Sequence, residues 1–342
     1  MSNKRRITVY AACLTLMSAL CAAREPEPGI SKVHFDLYGN YLVVVRGTLG
    51  NLKKRNLVID TGTNPTILDQ KIAQQLNVEP ITTSVHSINV VSGSVRSDLA
   101  LLPNLELGPL HCRNLRVAVA DLGSLHSQLG IRIDAVVGLD VLANSNFLID
   151  YAKKELIFGP IDPDLAALPF SSNGPFVSVP VTIDDKAISV MVDTGTASLI
   201  LFADHLGDWR HQLPPAGLNT TTDLGGRAGL PLVRITRTRM GSAEFGPRNA
   251  YIAAGSGCCG FDGVMGITAA RVKRIGFDFE KRQLSWQLQD RAIPTMSESV
   301  PPSCPTAWVP GFTPPAQASA GFLDEGDSCN PGPRPHARAK LP

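Results

Sequence analysis

The sequence predicts a mainly β protein built from two copies of one structural unit. Short runs rich in β-branched and aromatic residues end at turn signals, and an internal repeat spans most of the chain. No long helical period is present. At 342 residues the chain is long enough for two hydrophobic cores. These observations together predict an all-β fold with two related lobes.

The internal repeat consists of three blocks that recur in the same order. The first is Asp-Thr-Gly-Thr after an apolar run, the second is an aspartate before an apolar-apolar-Gly segment, and the third is an aspartate before a basic turn. The blocks begin at residues 60 and 193, at 134 and 262, and at 150 and 278. The two copies are therefore separated by 133 residues in the first block and by 128 in the others. We expect the aspartates of the second and third blocks to have turn or capping roles.

Each unit begins with a predicted hairpin. Residues 41–49 and 176–183 have strand composition, and each run ends at a turn signal. After the first block, residues 67–76 carry apolar side chains at a spacing that could form one stripe of a short helix. Further turn signals include Gly93 and Gly226, each 33 residues past the aspartate of its own unit.

The two ends of the chain differ from the repeat. The first residues combine a basic start, a 14-residue apolar run and small residues before a cleavage site after Ala23, as in an export signal peptide. The last residues are rich in Pro, Gly, Ser and Ala. The predicted organisation is a signal peptide at 1–23, an N-terminal lobe at 30–159, a linker at 160–175, a C-terminal lobe at 176–290 and a Pro-rich, disordered tail at 291–342. We therefore expect an exported protein, periplasmic or secreted, without stable membrane insertion after cleavage.

Charge and cysteine content limit the chemistry. The formal charge is +2 and no patch combines basic with aromatic residues, so we expect no nucleic-acid partner. The sequence contains neither His-Glu-x-x-His nor Cys-x-x-Cys, so we expect no metal and no cofactor. After cleavage five cysteines remain, and the open pairings are Cys112 with Cys258 or Cys259, and Cys304 with Cys329.

Asp60 and Asp193 are the candidate catalytic residues. Each follows an apolar run and is followed at once by Thr and Gly. An ionised carboxylate in such surroundings is costly unless it is paired or hydrogen-bonded. Two such sites in matching contexts indicate a functional carboxylate pair.

The two Asp-Thr-Gly-Thr motifs and the two apolar-apolar-Gly segments resemble those of aspartic peptidases of the pepsin and retropepsin type. The chain is most similar to bacterial two-domain retropepsin-like proteins that carry a signal peptide, and the resemblance covers residues 33–286. It implies an acid protease fold, in which two retropepsin-like β-barrel lobes are related by a pseudo-twofold axis.

The resemblance also implies a mechanism for an aspartic endopeptidase. The two aspartates share one proton, because two adjacent carboxylates cannot both ionise, and they activate a water that attacks the peptide bond. The implied supporting residues are Thr61 and Thr194, which lock the two loops together; Gly62 and Gly195, which allow close approach; and Thr63 and Thr196, whose hydroxyls favour ionisation of the carboxylates. On this basis we expect a rate maximum on the acidic side of neutral.

The remaining expectations concern substrate access. The candidate flap residues are Ser92, Gly93, Gly225 and Gly226. The first flap lacks the tyrosine of pepsin, and matching flaps in both lobes are more like a retroviral dimer fused into one chain.

The expected partner is a protein or peptide substrate, and the chain is expected to be a monomer. The alternatives are a catalytically weak or inactive peptide-binding protein of the same fold and, less favoured, a thiol-disulfide protein that uses Cys258 and Cys259.

Overall fold

The computed structural model describes residues 20–23, 29–81, 86–90, 93–171, 175–254 and 260–289. Strands of the first half are β1 (Leu20–Ala23), β2 (Ser31–Tyr38), β3 (Leu42–Leu49), β4 (Leu52–Ile59), β5 (Ile67–Asp69), β6 (His86–Val90), β7 (Gly93–Leu107), β8 (Leu110–Ala120), β9 (Ala135–Val137), β10 (Phe147–Asp150) and β11 (Glu155–Phe158). The next strands are β12 (Ala166–Pro169), β13 (Ser178–Ile183), β14 (Lys186–Asp193), β15 (Leu199–Phe202), β16 (Pro215–Asp223), β17 (Gly226–Ile235), β18 (Thr238–Met240), β19 (Ala243–Phe245), β20 (Arg248–Ala253), β21 (Gly263–Gly266), β22 (Val272–Asp278) and β23 (Gln283–Leu288).

Helices are few. They are α1 (Gln70–Gln75), α2 (Gly123–Leu129), α3 (Leu139–Leu142), α4 (Ala203–Leu206) and a 3-10 helix (Gly207–Gln212). Within the described ranges, none of them is long and apolar enough to span a membrane. The prediction of a mainly β fold is confirmed.

In the described part of the chain the strands form two sheets, one for each half of the repeat with one exchange between them. The larger sheet has the order β12-β23-β22-β10-β11-β2-β3-β4-β9-β5-β8-β7-β6, with β1 paired to β8. The smaller sheet has the order β16-β17-β20-β15-β21-β14-β13-β18-β19. The last hairpin of the second half, β22–β23, therefore belongs to the sheet of the first half. The two halves share a continuous hydrogen-bonded base.

Each half places its apolar-apolar-Gly segment beside the strand that leads to the aspartate. β9 runs parallel to β4, with Val58 opposite Val136. In the second half β21 runs parallel to β14, with Asp193 opposite Gly266. Both segments are fully buried, as expected for parallel strands with long apolar runs. The repeat seen in the sequence is thus a repeat of local topology.

Aromatic side chains join the halves at the shared base. Phe147 of β10 lies opposite Phe277 of β22, and their rings stack with centroids 4.9 Å apart. Both are fully buried, and Phe279 packs against each of them. Burial of one such side chain contributes about 1.5–3 kcal/mol. The contact between the halves is therefore part of the hydrophobic core.

Two details differ from the sequence prediction. The segment expected to form one apolar helical stripe begins as the strand β5, and α1 starts only at Gln70, because the Asp69 side chain caps it by accepting a hydrogen bond from the backbone N–H of Lys71. The predicted linker at 160–175 contains β12, whose Ala166 pairs with Trp286 of β23. This segment adds a strand to the edge of the shared base.

Candidate active site

The two Asp-Thr-Gly loops meet between the two halves. Asp60 and Asp193 are buried, with exposed fractions of 1% and 0%. A Cβ atom at Gly62 would lie 2.5 Å from Cγ of Asp193, and one at Gly195 would lie 2.4 Å from Oδ2 of Asp60. Each glycine therefore faces the carboxyl group of the opposite loop, at a distance that only a residue without a side chain allows.

Reciprocal threonine hydrogen bonds lock the two loops together. Thr194 Oγ1 accepts a hydrogen bond from Thr61 N at 3.0 Å and donates one to Ile59 O at 2.9 Å. Thr61 Oγ1 accepts from Thr194 N at 3.1 Å and donates to Val192 O at 2.8 Å. Both threonines are fully buried. The arrangement has the twofold character that the repeat implies, and it fixes one carboxyl relative to the other.

The hydrogen bonds to the two carboxyls are not symmetric. Asp60 accepts from Gly62 N at 2.7 Å and from the Thr63 hydroxyl at 2.8 Å. Asp193 accepts from Gly195 N at 2.6 Å and from the backbone of Thr196. No donor among the described residues reaches Oδ2 of Asp193.

The hydroxyl of Thr196 differs from the expectation for this position. It accepts a hydrogen bond from Ser198 N at 3.3 Å, and it is the Thr196 backbone rather than the hydroxyl that binds Asp193. Thr63 and Thr196 occupy matching positions in the repeat, but only the hydroxyl of Thr63 is bonded to a carboxylate.

Burial raises the pKa of both members of the pair. Burial raises the pKa of Asp60 to about 6, while hydrogen bonds from Asp193, Thr63, Gly62 and Gly195 oppose the increase. Burial and then the charge of Asp60 raise the pKa of Asp193 well above its usual range. The pair titrates as a unit and shares one proton.

The other repeated aspartates bind backbone N–H groups, as expected for turn or capping roles. Oδ2 of Asp134 accepts from Asn56 N, and Oδ2 of Asp262 accepts from Ser189 N, each at 2.9 Å. The third pair does the same within its own turn. Asp150 accepts from Lys153 N at 2.9 Å, and Asp278 accepts from Lys281 N at 2.8 Å. These four carboxylates hold the ends of strands and lie outside the pair at the centre.

The first flap candidate is the hairpin of β6 and β7. Val90 pairs with Gly93, and Ser92 lies outside the described residues. Gly93 thus begins the second strand of the hairpin instead of occupying its tip.

The second flap candidate is the hairpin of β16 and β17. Asp223 pairs with Gly226, which leaves Leu224 and Gly225 as the turn, and Gly226 has a left-handed φ of 107°. Leu224 is buried in a cluster that contains Leu122 and Ile133 of the first half together with Ile88 of β6. The tip of this hairpin therefore reaches across to the other half.

Sequence reasoning missed two side chains near the pair. Tyr151 is partly buried at the shared base, with its hydroxyl oxygen enclosed, and its pKa is raised first by burial and then by the charge of Asp193. Asp140 binds the Asp60 loop through Thr66. The sequence does hold one indication of a special role for Asp140, since it is acidic at the position where the second copy of the repeat has Thr268.

The described residues give little support to metal or thiol chemistry. Within them, no group of three or more His, Cys, Asp or Glu side chains is placed to hold a metal ion. Cys112 is disulfide-bonded, and Cys21 of β1 lies opposite it in the strand register. Cys258 and Cys259 lie outside the described residues, as do Cys304 and Cys329, so the pairings proposed for them stay predictions.

Comparison with known proteins finds a family model that matches part of the chain. Residues 45–141, which contain the Asp60 loop and the first apolar-apolar-Gly segment, match the family model described as aspartyl protease. The crystal structure of the aspartic proteinase from Irpex lacteus is similar in fold, with a TM-score of 0.49 and 16% sequence identity, over 78% of this chain and 99% of that chain. None of the curated proteins compared with the chain matches it. The chain resembles the aspartic peptidases of the pepsin and retropepsin type.

Proposed function

We propose that this chain is an aspartic endopeptidase in which Asp60 and Asp193 form the catalytic dyad. The observation that carries the proposal is the interlocked pair of loops, in which Gly62 and Gly195 each contact the carboxyl of the opposite loop. Two buried carboxyls at this separation share one proton, which is the arrangement required to activate water and a carbonyl group together.

The hydrogen bonds to the two carboxyls suggest a division of roles. Asp60, whose carboxylate accepts the Thr63 hydroxyl, would be ionised and would take a proton from the attacking water. Asp193 would hold the shared proton and donate it to the carbonyl oxygen as the water oxygen bonds to the carbonyl carbon. Breakage of the C–N bond then requires a proton on the leaving nitrogen, which the acid form of Asp60 supplies. As the C–N bond breaks and the carbonyl re-forms, the ionised Asp193 takes a proton from a hydroxyl of the intermediate, so the pair again holds one shared proton. No step needs a metal or a cofactor.

The substrate would be an extended peptide bound between the two halves. Its backbone would form strand-like hydrogen bonds, as in other cases where a peptide adds to an existing sheet. The two hairpins would cover it, with Gly93 next to the tip of the first, and with Gly225 at the tip of the second and Gly226 next to it. We further propose that the protein acts as a monomer after export to the periplasm or the exterior.

The test is cleavage of a complex peptide mixture by the protein that begins at residue 24, with new termini identified by mass spectrometry between acidic and neutral pH. Asp60→Asn and Asp193→Asn should each abolish the new termini. Asp36→Asn is the matched control, because Asp36 is an exposed aspartate on β2. Loss of cleavage in both dyad variants but not in the control supports the enzyme.

Three other outcomes would count against the proposal. Peptides that bind without cleavage in the wild type would favour a catalytically inactive peptide-binding protein of the same fold. Cleavage that survives in either dyad variant would exclude the proposed mechanism, because the two carboxyls are expected to act as a unit. Activity lost only after thiol alkylation would favour chemistry at Cys258 and Cys259.

A further inference from the structure

We propose that Asp140 is a positioning residue that holds the Asp60 loop in its catalytic geometry through Thr66 and the turn at Gly138. The effect on catalysis rests on the proposed function, whereas the effect on the Asp60 carboxyl does not.

Asp140 binds the far end of the Asp60 loop. Thr66 N lies 3.0 Å from both carboxylate oxygens of Asp140, and the Thr66 hydroxyl donates to Oδ1 at 2.7 Å. That hydroxyl in turn accepts a hydrogen bond from Gly138 N at 3.0 Å. One carboxylate therefore fixes both the backbone and the side chain of the residue at which the loop ends. Hydrogen bonds to a charged acceptor are the stronger class.

The same turn also holds the middle of the loop. Leu139 N donates to Thr63 O at 2.9 Å. A Cβ atom at Gly138 would lie 2.3 Å from Thr63 O, so the two backbones are in close contact. The Thr63 hydroxyl then donates to Asp60 Oδ2 at 2.8 Å. A continuous chain of contacts thus leads from Asp140 to the carboxyl that is the candidate base.

The second half of the molecule lacks this device. At the position of Thr66 it has Leu199, and at the position of Asp140 it has Thr268. Its loop is held at the corresponding place by backbone hydrogen bonds, from Gly266 N to Ser198 O at 2.8 Å and from Ala269 N to Ala197 O at 3.0 Å. The half with the carboxylate brace is the half whose threonine hydroxyl reaches its aspartate. This correlation is what assigns a function to Asp140 beyond capping.

The surroundings of Asp140 suit a carboxylate that accepts hydrogen bonds from the loop and forms no ion pair. No cation pairs with Asp140 among the described residues, and its bonds come from Thr66, from Val141 N and from its own backbone N–H. Burial raises the pKa of Asp140 to about 6. Asp193 is the charged side chain that acts on Asp60 within the described structure. Asp140 therefore influences Asp60 through the position of Thr63 and not through its own field.

The experiment measures the titration of Asp60 directly, by the 13C carboxyl resonance that disappears in Asp60→Asn. In Asp140→Asn the amide nitrogen would face the Thr66 donors, and in Thr66→Val the hydroxyl is lost at constant shape. Both variants should release Thr63 from Asp60, so the Asp60 midpoint should rise by roughly one pH unit, a tenfold change in its proton-binding constant. Thr63→Val should give the same rise, and its combination with Asp140→Asn should add little. Thr268→Asn, at the matching exposed site, should leave the midpoint unchanged.

An Asp60 midpoint equal to that of the wild type in folded Asp140→Asn would overturn the inference. If that variant does not fold, Thr66→Val decides the question in the same way. The kinetic consequence is a lower kcat at unchanged KM, since Asp140 is not expected to contact substrate. A wild type that cleaves no peptide would remove the proposed function but would leave the titration result to stand on its own.

Discussion

The threonine lock between the loops gives the sharpest prediction about stability. Thr194→Val keeps the shape of the side chain and removes its hydroxyl. In the structure that hydroxyl accepts from Thr61 N and donates to Ile59 O, at 3.0 and 2.9 Å. The substitution would leave one backbone N–H and one backbone C=O without partners at a fully buried position.

The magnitude follows from the two orphaned groups. A buried donor or acceptor that loses its partner costs about 1–3 kcal/mol, so the two together should lower the free energy of unfolding by about 2–6 kcal/mol. Domains of ordinary size have a total stability of about 5–15 kcal/mol. The variant should therefore fold but unfold at clearly lower urea concentration. Its dyad should also be misaligned, which should reduce any peptidase activity.

The assay is equilibrium urea unfolding followed by tryptophan fluorescence and circular dichroism. Thr238→Val is the matched control, because Thr238 is fully buried and its hydroxyl has no hydrogen-bond partner in the described structure. That change removes a desolvated hydroxyl without breaking a bond, so it should be neutral or slightly stabilising. If Thr194→Val is no less stable than Thr238→Val, the view that the Thr194 hydroxyl locks the loops is refuted.

Three further predictions concern the dyad and the second hairpin. Asp60→Asn and Asp193→Asn should each stabilise the fold at neutral pH, because the raised pKa values mean that ionisation of these carboxyls is less favourable in the folded state than in the unfolded state. Urea unfolding should show that this gain in stability vanishes below about pH 4, and a dyad variant less stable than the wild type at neutral pH would contradict the prediction. Peptide cleavage should decline as the pH falls through about 6, where Asp60 takes up its proton, and an initial-rate profile that peaks below about pH 4 would argue against these acidities. Leu224→Ser should free the tip of the β16–β17 hairpin from the first half and speed limited proteolysis there, whereas unchanged cutting of that hairpin would show that Leu224 does not hold it.

The acidities of the pair lead to a different expectation for the pH profile from the one drawn from the sequence, and the measured rate profile decides between the two. The hydroxyls of Thr63 and Thr196 suggested a rate maximum on the acidic side of neutral, because both would favour ionisation. In the structure burial is the larger influence on both carboxyls, and only one of the two hydroxyls reaches its aspartate. A sequence shows which side chains are present, but the extent of burial and the direction of a hydroxyl depend on the assembled loops.

Local features were predictable where they depend on a few neighbouring residues. The turn at Asp184 and Asp185 is a hairpin connection between β13 and β14, and both residues adopt the left-handed φ that turn residues tolerate. The meeting of Asp60 and Asp193 was also predictable, because two copies of one unit with matched loops imply a twofold relation.

Long-range features were not predictable in the same way. The exchange of β22–β23 into the first sheet depends on pairing between residues about 130 apart, such as Phe147 and Phe277. The brace at Asp140 depends on contact with Thr66, which is distant in sequence and carries no motif of its own. Pairings of this kind are set by the packing of the whole chain, and hydrophobic pattern alone leaves several of them open.

The continuous base formed by β10 and β22 has a consequence for how the two halves could diverge. If the same loops were brought together by association of two identical chains, the dyad would disappear on dilution, and every substitution would alter both aspartates at once. Within one polypeptide the second loop is always present at a fixed effective concentration, so the carboxyl pair survives at any dilution. Each half can also change independently, which explains how Asp140 in one half can correspond to Thr268 in the other and how only one of the two matching threonine hydroxyls bonds its aspartate.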